Sequence, residues 1–131
     1  MKRVKLVAVM VALVLGLCAC QGEKGESNLT YEQISAKEAK EIMDTEKDYI
    51  IIDARTTEEF NEGHIEGAIL IPEYEVTLRA ESEIPNKDAL ILVYCRSGRR
   101  SKIAADALVA LGYTNVKEFG GIIDWPYEIV K

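Results

Sequence analysis

Ala89-Leu-Ile-Leu-Val-Tyr94, followed by Cys95-Arg-Ser-Gly-Arg-Arg100 and a helix-like stretch from Ser101, is the run whose reading decides the fold. A continuous apolar run bounded by turn residues has the character of a buried strand. The residues after it form a short polar loop, and the loop feeds a helix running from Ser101 to Leu111. In that helix Ile103, Ala104, Ala107, Leu108 and Leu111 are expected on the inner face, and Gly112 stops it. A loop entering a helix N-terminus turns several N–H groups inward and adds the positive end of the macrodipole. A cysteine placed there has its thiolate stabilised and becomes a nucleophile near neutral pH.

Working outward, strand and helix patterns alternate. Tyr31 to Ile34 is expected as an edge strand, and Ser35 with Glu38 has capping-box spacing for a helix reaching about Asp44. Tyr49-Ile-Ile-Ile-Asp53 is strand-like and ends in a carboxylate. Thr56 or Thr57 caps a short helix through Asn61, closed by Gly63, and Ala68 to Ile71 is a strand stopped by Pro72. Glu73 to Ala80 is expected as helix with Val76 and Leu78 inward. Pro85 to Asp88 is a turn, and Asn115 to Phe119 is the last strand before a Gly120-Gly121 turn. Ile122 to Val130 packs around Trp125 as a terminal segment. Alternation of this kind predicts an α/β fold, a parallel central sheet of about five strands flanked by helices on both faces. Ligands of such sheets bind at the carboxyl ends of strands, where Asp53 and Cys95 both fall.

The 131 residues allow one domain, placed at residues 30–131. Met1 to Lys5 is basic and Leu6 to Leu17 is apolar, shorter than the roughly 20 residues of a membrane span and fitting the h-region of an export signal. Leu17-Cys-Ala-Cys20 resembles the lipobox of bacterial lipoproteins, although Cys18 is unusual at its position. That resemblance implies a signal peptide over 1–19, lipid on Cys20, a tether over 20–29, and an exported protein lipid-anchored on the extracytoplasmic side of a membrane. The alternative is an uncleaved N-terminal anchor. With Cys18 removed and Cys20 acylated, Cys95 is the one thiol left, so no intramolecular disulfide is expected. The formal charge is −6, and loss of Lys2, Arg3 and Lys5 makes the remainder more acidic still. Acidity argues against nucleic acid, while Arg96, Arg99 and Arg100 around the cysteine suit a small anion.

Cys95-Arg-Ser-Gly-Arg-Arg-Ser101 resembles the active-site loop of the rhodanese (sulfurtransferase) family. Asp53-Ala-Arg55, Glu58-Glu-Phe60, Gly63-His-Ile-Glu-Gly-Ala68, Leu111-Gly-Tyr113 and Phe119-Gly-Gly-Ile-Ile-Asp-Trp125 resemble its flanking motifs, in order. Glu66 stands where Pro is frequent in that family and Leu70 where Asn is frequent. The resemblance implies transfer of a sulfane sulfur from a small anionic donor such as thiosulfate, through a persulfide on Cys95, to a thiol or cyanide; a protein acceptor is left open. The alternatives are a phosphatase or arsenate reductase, and a persulfide carrier or sulfide-sensing module without turnover. Six residues from Cys95 to Arg100 favour sulfur over a tetrahedral oxyanion in the families resembled.

Within the loop, the N–H groups from Arg96 through Ser101 are expected to cradle the sulfur, with Ser97 part of that ring. Gly98 takes a conformation a side chain would obstruct, and Ser101 caps the helix. One or two of the arginines are expected to face the pocket. Asp53 is read as Arg55's ion partner in preference to a general base, and Glu59 as a further partner of Arg55. His64, the one histidine, is read as bonding its own loop in preference to forming a Cys–His dyad. No spacing of Cys, His and carboxylates suggests a metal, and no cofactor is implied.

Overall fold

The computed structural model describes residues 30–131, so the expected signal peptide, Cys20 and its tether lie outside the described residues. Five strands and four helices alternate: β1 (Glu32–Gln33), α1 (Ala36–Thr45), β2 (Ile50–Asp53), α2 (Thr57–Glu62), β3 (Ile69–Leu70), α3 (Val76–Glu83), β4 (Ile91–Cys95), α4 (Arg99–Ala110) and β5 (Val116–Gly121). Short 3-10 turns at Glu73–Glu75 and Ile122–Asp124 join them. The strands form one all-parallel sheet in the order β1-β5-β4-β2-β3. Chain order reverses at β2: β3 lies to one side of it and β4 to the other, which opens a crevice at the strand ends carrying Asp53 and Cys95.

Each face of the sheet buries its own apolar layer, as a two-residue side-chain period requires. Along β4, Ile91, Val93 and Cys95 point toward α3 and α4 and pack with Val76, Ala80, Ala104 and Leu108. Leu92 and Tyr94 point the other way, onto Ala39 of α1, Phe119 and Trp125. Trp125 is in the core, as its sequence context suggested.

Local signals explain the helix starts. Ser35 Oγ accepts the Glu38 N–H at 3.0 Å, and Thr56, of the two candidate threonines, caps α2 by accepting the Glu59 N–H at 3.3 Å.

Two inner faces differ from expectation. Leu78 is 83% exposed and Ile103 is 43% exposed. In α3 the buried residues are Val76 and Ala80, and in α4 they are Ser101, Ala104, Ala105 and Leu108. Both sets follow helical spacing, and Leu78 and Ile103 sit about two residues, or roughly 200°, off those stripes. Helix α4 is turned to aim Ser101 at the sheet.

The Gly120-Gly121 turn is likewise the last stretch of β5. A register irregularity between Val93 and Cys95 pairs Cys95 with Gly121, so the strand continues beneath the loop.

Candidate active site

Cys95 closes β4, three residues form the turn, and α4 begins at Arg99. Gly98, at φ +106°, occupies the N-cap position; this left-handed conformation is one that L side chains rarely adopt. Ser101 is therefore not the N-cap expected from sequence. It lies in the first turn of α4, fully buried, with its hydroxyl against the cysteine. The helix opens two residues earlier than the apolar periodicity indicated, because Arg99 and Arg100 contribute charge and no apolar stripe.

The Gly98 N–H donates to Cys95 Sγ at 3.0 Å, and Sγ lies 3.3 Å from Ser101 Oγ. Cys95 is 1% exposed. Burial pushes its thiol up, but the Ser101 hydroxyl and the N–H groups of Ser101, Gly98 and Ser97 outweigh burial and hold it below the usual thiol range. Of the N–H groups expected from Arg96 through Ser101, those of Ser97, Gly98 and Ser101 are the ones turned to the sulfur.

The arginines divide. Arg100 makes a two-pronged ion pair with Glu59, at 2.6 and 2.8 Å, tying α4 to α2. Glu59 does not pair with Arg55, the partner expected for it. That pairing is a correction: the helical turn at Thr56 carries Glu59 toward α4, while Arg55 turns back onto Asp53 at 2.7 Å and onto the Gly63 carbonyl at 2.6 Å. Arg100 pulls the Glu59 carboxyl down to about 2. Its own positive charge lies within electrostatic reach of Cys95. Arg96 and Arg99 are exposed, and among the described residues neither pairs with a carboxylate.

Asp53 and Arg55 form the ion pair read from the sequence, buried at the end of β2. Tyr94, missed by sequence reasoning, donates its O–H to Asp53 at 2.6 Å and accepts the Ile65 N–H at 3.0 Å. This network braces the strand ends from the sheet face opposite Cys95. His64 stacks on Phe60, and its Nδ1 lies 2.9 Å from the Phe60 carbonyl, the local role expected of it.

Glu118 was also missed. It is 3% exposed, and its Oε1 accepts from Ser101 Oγ at 2.7 Å and from the Gly120 N–H at 2.7 Å. The period-2 pattern Val116, Glu118, Gly120 was the available signal, since it puts a carboxylate on an inward-facing row.

A cavity of about 950 Å³, lined by Lys40, Tyr49, Trp125 and Tyr127 among others, includes none of the loop residues. Among the described residues, no group of three His, Cys, Asp or Glu side chains is placed to hold a metal ion, and no helix is long and apolar enough to cross a membrane.

Residues 35–126 match the Rhodanese-like domain family. The chain belongs to that family. This rhodanese-like chain is 41% identical over 80 residues to thiosulfate sulfurtransferase PspE of Escherichia coli, covering 61% of this chain and 77% of that protein. It is 34% identical over 98 residues to thiosulfate sulfurtransferase GlpE of Coxiella burnetii, covering 74% and 89% respectively. Among solved structures, one described as a rhodanese with anions from E. coli superimposes with a TM-score of 0.60 at 38% identity, over 63% of this chain and 98% of the other. The five-stranded parallel α/β architecture is the rhodanese fold, as the motifs implied.

Proposed function

We propose that this rhodanese-like domain is a thiosulfate sulfurtransferase carrying sulfur on Cys95. The supporting observation is the thiol at the end of β4, hydrogen-bonded by the loop at the N-terminus of α4. The Cys95 thiolate attacks the sulfane sulfur of the donor, the donor's S–S bond breaks, and the electron pair leaves with sulfite. The product is Cys95–S–S⁻, whose charge suits the N–H groups and helix end that held the thiolate. Cyanide or a thiolate then attacks the outer sulfur and releases the Cys95 thiolate. Neither step needs an external oxidant or reductant.

Arg96 and Arg99 are the exposed cations placed to attract a dianionic donor. A cysteine only 1% exposed favours a slim donor that presents a terminal atom.

The full chain is expected to form thiocyanate from thiosulfate and cyanide, with Cys95→Ala reducing the rate to background. Activity persisting in that variant removes Cys95 from the mechanism. A stable gain of one sulfur on Cys95 without turnover identifies a carrier, and phosphate release from an aryl phosphate identifies a phosphatase. For the N-terminal region, the proposal is that Cys20 bears lipid and holds the domain on the extracytoplasmic face of a membrane, supported by the lipobox-like Leu17-Cys-Ala-Cys20.

A further inference from the structure

The cavity of about 950 Å³ lies on the sheet face opposite Cys95 and has no part in the chemistry above. Its size falls within the range of about 300–1,000 Å³ typical of small-molecule sites. Trp125 and Ile65, 9% and 3% exposed, form its floor. The C-terminal segment frames one side, and it is pinned just beyond the cavity. There Val130 and His64 exchange two backbone hydrogen bonds at 2.8 Å as an antiparallel bridge.

The rings around this cavity have spent their polar handles. The Tyr49 O–H donates to the Met43 carbonyl at 3.2 Å, and the Trp125 indole N–H donates to the Glu128 carbonyl at 3.4 Å. Both side chains therefore offer a ligand aromatic surface and no further donor. Trp125 and Tyr127 meet at 70° with centroids 4.9 Å apart, which makes a corner of two rings. Lys40 Nζ lies 5.7 Å from the Tyr127 centroid, so a cation already sits over this ring.

The charges lining the cavity point the same way. Asp44, Glu66 and Glu128 stand against one cation, Lys40, and Lys40 pairs with Asp44. Among the described residues, neither Glu66 nor Glu128 has a cationic partner. An anion entering here meets a single lysine that is already committed. A cation meets ring faces and two uncompensated carboxylates, in a chain whose formal charge is −6.

We propose that this cavity binds a small organic ammonium ion, its charged head held between the Trp125–Tyr127 corner and the carboxylates of Glu66 and Glu128. An alkylated ammonium suits these walls better than a bare metal ion, because its apolar shell loses water easily and packs on the rings. No bond is made or broken, and the site stands whether or not Cys95 transfers sulfur.

Choline is the probe. Its uncharged control is the alcohol in which a tert-butyl group replaces the trimethylammonium. Trp125 is the one tryptophan of the chain, so its fluorescence reads from the cavity floor. Saturation-transfer NMR on the methyl protons detects binding even where the fluorescence is silent. The full chain is expected to bind choline saturably, about tenfold more tightly than the alcohol. Tyr127→Leu, and separately Glu66→Gln combined with Glu128→Gln, are each expected to weaken choline binding at least about threefold. All three substituted side chains are exposed, so the fold is expected to persist, with an unchanged urea midpoint as the check. Should one variant fail to fold, the other carries the same test.

No saturable choline binding, equal binding of the alcohol, or undiminished choline binding in either folded variant overturns the ammonium site. Thiocyanate formation is scored separately. Its absence with choline binding intact refutes the sulfurtransferase reading alone, and its presence without choline binding refutes the ammonium site alone.

Discussion

Gly121 carries no side chain at a place where the chain has room for none. A Cβ built on it would lie 2.0 Å from the Arg96 carbonyl oxygen, a backbone atom that cannot swing aside. The Cys95 loop therefore rests directly on β5. Gly121→Ala is expected to cost about 1–3 kcal/mol, in the range of overpacking, and to shift the loop. Urea unfolding and the thiocyanate assay should fall together; full activity with unchanged stability would show that the loop does not depend on this contact. Here the sequence was half legible. The paired glycines were visible, but the purpose of Gly121, close approach to the Arg96 carbonyl, depends on a chain segment 25 residues earlier in sequence.

At the scale of elements, the Glu59–Arg100 pair joins the first turns of α2 and α4 across the crevice. Glu59 titrates near 4.5 when unconstrained, and Arg100 draws it to about 2 in the folded protein. A carboxyl depressed by folding contributes stability that is full above its unfolded value. That contribution drains away as pH falls from about 4.5 through about 2. Solvent reaches both side chains, so the pair is worth about 1 kcal/mol, well below what the shift alone would suggest. Glu59→Gln should thus be less stable than the parent by about that amount at pH 7, and the two should converge as pH falls toward 2. Equilibrium urea unfolding at pH 7, 5 and 3 checks this; a constant difference would assign the effect to packing. The helices themselves were readable from Ser35, Thr56 and Gly112. Which way each helix faces was less so, because Ile103 and Leu78 are as apolar as the residues that are buried.

At the scale of the whole molecule, the parallel order β1-β5-β4-β2-β3 puts β4 in the middle and its C-terminal end beside that of β2. Side-chain alternation then separates two tasks at one strand end. Tyr94 turns to one face and locks Asp53, Arg55 and the Gly63 carbonyl together, while Cys95 turns to the other and meets α4. For the complete chain, the proposed anchor predicts an acylated Cys20 as the mature N-terminus in intact-mass spectra of the membrane fraction. An unmodified Cys20 would sink that proposal.

The amino-acid order alone determined the alternating elements, the strand-to-helix loop and the cysteine at its head. Those are matters of local periodicity and turn chemistry, settled within a dozen or so residues. Only the tertiary structure decided that Arg100 belongs to Glu59, and that Ser101 serves the sulfur and not the helix cap. It alone put Glu118 against Ser101. Each of those pairings joins separate elements, and no local rule fixes a partner that the packing of a sheet and two helices brings within 3 Å or so.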